Sequence, residues 1–148
     1  MKRFVKIAVL VLVLGLLAST VVSAETVEGT GTITARGAGV ARVHGSGTVD
    51  IRGHGVGTGW VRNAETLKAS GRGIRWDLPG GIVFFAGWSG HIYASGEELA
   101  VTMIGGLIEF SASGTGTVLL KGRGNYWLNS EHGPWNPEGI TLQLQPVQ

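Results

Sequence analysis

One short phrase, Gly-x-Gly followed by two apolar residues on alternate positions, returns every eight residues near the start of this chain. It reads Gly29, Gly31, Ile33, Ala35; Gly37, Gly39, Ala41, Val43; Gly45, Gly47, Val49, Ile51; then Gly53 and Gly55. All of these positions are odd, while Thr32, Thr34, Arg36, Arg42, Thr48, Asp50 and Arg52 are even. Side chains two apart on a strand share a face, so strict alternation describes half-buried β-strands with the odd positions inward.

The phrase returns over 107–126, where Ile108, Phe110, Ala112, Val118, Leu120 and Tyr126 hold even positions with their glycines. Parity has switched, and an insertion or bulge of odd length would do this. The stretches 63–65, 77–81 and 96–98 are the candidates, and Pro79-Gly80 suits the central pair of a type II turn. Residues 140–145 alternate again and read as a final strand.

A three-residue hairpin loop preserves inward parity, whereas a two-residue loop swaps it. The Gly-x-Gly phrases are therefore expected as three-residue loops between strands 32–36, 40–44 and 48–52. Val43 would then lie between Ile33 and Val49, and Arg42 would face Asp50. The expected fold is all-β, an antiparallel meander of short strands closed into a barrel or sandwich. The alternative is a β-solenoid of three eight-residue sides, with parallel neighbours about 24 residues apart and small Ala35 and Ala41 inside. Bulky Phe84, Phe85, Trp88, Tyr93, Phe110, Tyr126 and Trp127 favour the broader core of the meander.

Residues 1–24 read as a signal peptide: Lys2, Arg3 and Lys6 precede an apolar run over 7–18, and Val22-Ser23-Ala24 supplies a small-residue cleavage pattern. That run is shorter than the roughly 20 residues of a membrane span. Residues 25–148 are then a single Gly-rich β domain, secreted or held in the cell envelope, with no membrane insertion after cleavage. Three of the 12 Lys and Arg residues lie in the leader and all 10 Asp and Glu residues lie beyond it, so the remainder carries 9 − 10 = −1. A near-neutral domain has no electrostatic footprint for phosphate backbones, and nucleic acid is not an expected partner. The chain has no cysteine, so disulfides do not hold the fold.

The segment 85–96, Phe-Ala-Gly-Trp-Ser-Gly-His-Ile-Tyr-Ala-Ser-Gly, is followed by Leu-Ala-Val-Thr-Met at 99–103 and Gly-Thr-Gly-Thr-Val-Leu-Leu-Lys-Gly-Arg-Gly at 114–124. Together they resemble a family of small exported Gly-rich β-repeat proteins of bacteria and archaea. The resemblance spans most of the domain and implies export and repetition; it carries no catalytic residue across.

The chemistry-bearing residues do not assemble a reaction centre. No nucleotide-cradling glycine motif stands before a helix, so the glycines read as turn formers. His44, His54, His91 and His132 lack metal-ligand spacing, although His44 and His54 share the outward parity with Asp50 nearby. Gly87-Trp88-Ser89-Gly90 is one residue short of a nucleophile elbow. Adjacent Glu97 and Glu98 would point apart, and nothing brings Asp50, Asp77 or Glu109 across a cleft. No catalytic residue, metal site or cofactor is expected, and the domain reads as non-enzymatic.

Five tryptophans stand out: Trp60, Trp76, Trp88, Trp127 and Trp135. The first four read as covers over the open ends of the core. Trp135, between Pro134 and Pro137, reads as an exposed stacking platform, with Asn136 to hydrogen-bond a hydroxylated ligand. The expected role is an envelope-associated structural or adhesive module, with a cell-surface polymer, glycan or envelope protein as partner. The alternative is a glycan-binding module built on Trp135 and Asn136.

Overall fold

A computed structural model describes residues 26–53, 57–129 and 131–145, with the backbone alone for 26–30. The expected leader at 1–24 and His54 lie outside these residues. The regular elements are all strands: β1 (Thr26–Thr30), β2 (Thr32–Gly53), β3 (Gly57–Arg62), β4 (Thr66–Leu78), β5 (Ile82–Leu128), β6 (Glu131–Pro134) and β7 (Ile140–Gln145). At 22 and 47 residues, β2 and β5 are far longer than meander strands and run straight through the Gly-x-Gly phrases.

Each phrase of β2 has two antiparallel neighbours on β5. Ile33 lies opposite Ala112 and Leu128, Val43 opposite Val101 and Val118, and Val49 opposite Ala94 and Ala112. Ala112 is thus flanked by Ile33 and Val49, which are 49 − 33 = 16 residues apart. Two eight-residue phrases carry the chain out along one row of strand segments and back along another. The first row runs 131–134, 125–128, 33–37, 108–113, 47–53, 90–96 and 66–71; the second runs 26–30, 140–145, 116–121, 39–45, 99–105, 57–62, 82–86 and 74–78.

The glycines make the corners between these rows. Gly37 and Gly39 lie opposite Gly124 and Gly122, and Gly45 and Gly47 opposite Gly116 and Gly114. All occupy inward positions, where a side chain would point into the bend. At Gly39, φ is +135°, and a Cβ would overlap the Lys121 carbonyl oxygen and stand 3.0 Å from Gly122 Cα. Only glycine has both the conformation and the clearance for that close approach. The middle residue faces solvent, as Ser46 and Arg123 do.

This geometry corrects the meander. Consecutive phrases do not pair as hairpins: Val43 does not lie between Ile33 and Val49, and Arg42 faces Thr102 and Leu119 instead of Asp50. The sheet is not closed into a barrel, since it has free ends at β4 on one side and at β1 and β6 on the other among the described residues. The solenoid with parallel neighbours 24 residues apart is corrected too, because parallel pairing of strands is confined to β1 with β7 among the described residues. What holds is an all-β, predominantly antiparallel sheet. A corner that bends the chain without reversing it preserves parity just as a three-residue loop does, and alternation alone cannot separate the two.

The expected inner face is the core. Ile33, Ala35, Ala41, Val43, Val49 and Ile51 are buried, as are Ile108, Phe110, Ala112, Val118, Leu120 and Tyr126, and Ile140, Leu142 and Leu144 join them from β7. Between Ile33 and Leu128 parity changes at three places. Odd Phe85 gives way to even Ile92 across 87–90, even Ala94 to odd Leu99 across 96–98, and odd Met103 to even Ile108 across 105–107. Of the expected insertions, only 96–98 performs a switch; odd Val61 and Leu67 flank 63–65, and odd Asp77 and Val83 face each other across the 79–81 turn. That turn is a three-residue hairpin closing Leu78 on Ile82, with Gly80 at φ +80° as a type II turn requires.

Candidate functional site

Trp135 takes a different place from the one its flanking prolines suggest. It is 3% exposed and belongs to the core cluster, and its Nε1 donates a 3.1 Å hydrogen bond to the Asn125 carbonyl. A Cβ on Gly37 would stand 2.9 Å from the indole, so that corner glycine also clears room for the ring. Asn136 accepts a 2.8 Å hydrogen bond from the Glu138 amide through Oδ1, and its carbonyl accepts from Gly122 and Gly139. The pair borders a shallow hollow with Tyr126 and Ile140, but the indole has no face left for stacking. The expectation of an exposed platform is corrected: Trp135 plugs the end of the core, and Asn136 braces the turn behind it.

The exposed aromatic surface lies at the opposite end of the sheet. Register places Trp76 opposite Phe84, Phe84 opposite Trp60, and Trp60 opposite Thr102 on the outer face of the second row. Trp76 and Phe84 stack with centroids 5.5 Å apart and planes inclined by 17°. Trp76 is 52% exposed, and Trp60 and Phe84 are half-buried. Ile74 and Leu78 flank Trp76 on its own strand, both about half exposed, and Ile104 adds to the face. Three of the five large apolar side chains exposed among the described residues thus fall on the five-residue segment 74–78. Contiguous apolar patches of this kind mark contact surfaces on soluble proteins.

The segment 74–78 has its outer face apolar and its inner face charged. Arg75 lies opposite buried Phe85, with its guanidinium 5.9 Å from the ring centroid. Its Nη2 donates a 3.0 Å hydrogen bond to Asp77 Oδ1. Past Val61 the core continues through Phe85 and partly buried Val83, and the two charged groups border the hollow beyond them while still reaching water.

Trp88 is neither exposed platform nor simple cover. It meets Phe85 edge-on at 5.1 Å and 70° beside a cavity of about 60 Å³ lined by Ile51, Val61, Ile92, Val101, Met103 and Ile108. Its Nε1 is buried without a hydrogen-bond partner among the described residues. Trp127 is 47% exposed on the first row, opposite Thr34 and His132.

The polar outer face of the first row holds the closest acid–base pair among the described residues. His91 Nε2 lies 2.6 Å from Asp50 Oδ2, and Arg52 Nε lies 3.9 Å from Asp50 Oδ1. Sequence reasoning set Asp50 near His44, but the register brings His91 to it from 41 residues away, while His44 faces Ala100 and Thr117. Ser70 stands opposite His91 in register, yet among the described residues the imidazole bonds to Asp50 alone. Glu109 sits between Arg36 and Arg52, so opposite charges alternate across three segments. Ser89 lies in the exposed 87–90 corner with Gly87 at φ +56°, a strand-to-strand bend.

No family model, no curated protein and no solved structure matches this chain.

Proposed function

We propose that the chain is an exported, non-enzymatic β-module of the cell envelope that works by adhesion, and that its contact face is the outer aromatic row Trp60–Phe84–Trp76 with Ile74, Leu78 and Ile104. The observation that carries the reading is the exposure of Ile74, Trp76 and Leu78 together on one segment. Leaving these groups in water forgoes roughly 25 cal/mol for each Å² that could have been buried, a standing disadvantage that a contact surface recovers on binding. The leader, the near-neutral charge of the remainder and the family resemblance support export to the envelope.

A specific observation favours a glycan-binding module as the second reading. Trp76 is stacked on one side only, and beyond it no strand follows among the described residues, so one indole face is open at the sheet margin. An open aromatic face on a rigid strand is the feature a sugar ring stacks upon. The test is a binding screen of the exported protein against purified glycans, cell-wall polymers and envelope proteins, read by sedimentation with insoluble polymers and by tryptophan fluorescence. Wild type should bind at least one class, and the Trp60→Ala, Trp76→Ala double variant should bind at least tenfold more weakly with its fold intact. Wild type that binds none of them would overturn the adhesive reading.

A further inference from the structure

We infer that β4 pairs with the β4 of a second copy of this chain, antiparallel and centred on Trp76. The residue order of 74–78 is self-complementary in that arrangement. A two-fold axis at Trp76 sets Ile74 opposite Leu78 of the other copy, Arg75 opposite Asp77, and Trp76 opposite Trp76. Apolar residues meet apolar ones on the outer face, and each guanidinium meets a carboxylate on the inner face. Any one-residue slip of this register would put apolar side chains against charged ones, since the two kinds alternate along the segment.

Three observations support a strand as the occupant. β4 pairs with β5 alone among the described residues, so its other edge presents backbone N–H and C=O groups to water. Edge strands are commonly blunted by lysine, proline or a bulge, and 74–78 contains none of these, the register shift in β4 lying before Ile74. The inward charges, Arg75 and Asp77, form an ion pair with each other along the strand, and in the two-fold register each also stands opposite its counter-charge on the other copy, an arrangement a foreign strand of different order would not supply. The pairing would also extend the Trp76–Phe84 stack across the axis. This inference goes beyond the adhesive reading and does not depend on it; pairing would cover the open face of Trp76, so self-association and glycan stacking compete at that indole.

Five residues per copy make a small interface, so association is weak and concentration dependent, with half-dimerisation at roughly 0.1 mM. The test is sedimentation velocity of the whole exported chain from about 5 µM to 500 µM. Wild type should pass from monomer towards dimer. Arg75→Asp leaves two carboxylates on the segment and Asp77→Arg leaves two guanidiniums, so each variant alone should associate at least tenfold more weakly. Mixed in equal amounts, the two variants should associate as wild type does, because each strand now meets its complement across the axis. A folding defect cannot produce rescue by mixing, and circular dichroism of each variant checks the fold independently. Wild type that stays monomeric to 500 µM, self-association that the single variants leave unchanged, or a mixture that fails to recover would each overturn the proposal.

Discussion

Gly39→Ala tests the corner argument most directly. Three contributions can be worked from the structure. Holding a non-glycine residue at φ +135° costs roughly 1–3 kcal/mol. The new Cβ overlaps the Lys121 carbonyl oxygen, and relief requires that carbonyl to leave the ladder in which Lys121 faces Val40, a loss of about 1 kcal/mol per hydrogen bond. Against these, alanine narrows the unfolded ensemble and returns roughly 0.4–1 kcal/mol. The net destabilisation is about 1–3.5 kcal/mol, or a fall in Tm of roughly 4–14 °C for a domain of this size.

Gly106→Ala is the control. It stands at a corner as well, but a Cβ there meets nothing within 4 Å. Alanine at 106 should be neutral or stabilising by up to about 1 kcal/mol. Chemical denaturation of both variants, with the slope checked for constancy, measures the difference. Should the two variants differ by less than about 1 kcal/mol, the inward glycines are not there for clearance, and the corner account fails. Gly39→Ala and Gly122→Ala, which share one corner, should also combine non-additively, because the first substitution already opens the space that the second needs.

Trp135→Ala should destabilise the domain by about 3–5 kcal/mol, since it empties a buried indole site and removes the hydrogen bond to the Asn125 carbonyl; a change under about 1 kcal/mol in denaturant would return Trp135 to the surface. Val43→Asp buries an unpaired carboxylate between Val101 and Val118 and should prevent stable folding, whereas His44→Ser on the outer face should leave Tm within about 2 °C. Trp88→Phe removes a buried donor that has no partner and should change stability by less than about 1 kcal/mol, while Trp88→Ala should cost about 3 kcal/mol, both read by thermal unfolding. Trp76→Ala should leave stability within about 1 kcal/mol, given its exposure, while weakening any polymer binding at least several-fold in the fluorescence titration.

The inner face was legible because alternation is a local property. Ile33, Ala41, Val49, Phe110 and Leu120 declare their side of the sheet through residues one and two positions away, whatever strand lies beside them. The partner of each strand is a long-range property. Val43 meets residues 58 and 75 positions further along, at Val101 and Val118, and nothing in a repeat of eight distinguishes those pairings from hairpins between adjacent phrases. One signal was present. Phrases of the same Gly-x-Gly spacing recur at 37–39 and 122–124, and at 45–47 and 114–116, in mirror order about one centre, which is what antiparallel corners stacked on each other require.

The candidate site was legible in kind and misplaced in position, for the same reason. Trp135 looked exposed because Pro134 and Pro137 are loop formers, but proline constrains the backbone and says nothing about which way the indole turns. The surface row depends on register: Trp60, Trp76 and Phe84 come from three segments, and only the 79–81 hairpin brings two of them together locally. That hairpin could have been read further. Given Leu78 opposite Ile82, the pairing of Trp76 with Phe84 and of Arg75 with buried Phe85 follows by counting back two and three residues. The apolar residues Ile74, Trp76 and Leu78 then fall on the face opposite Phe85, away from the core. A strand that turns Ile74, Trp76 and Leu78 outward and Arg75 and Asp77 inward, at the margin of the sheet, has inverted the rule that core segments such as 33–37, 47–53 and 108–113 follow. Arg75 over the Phe85 ring accounts for the inward charges, but nothing in the core accounts for Ile74, Trp76 and Leu78 standing in water, so the reason for their placement has to be sought in what the strand touches outside its own chain.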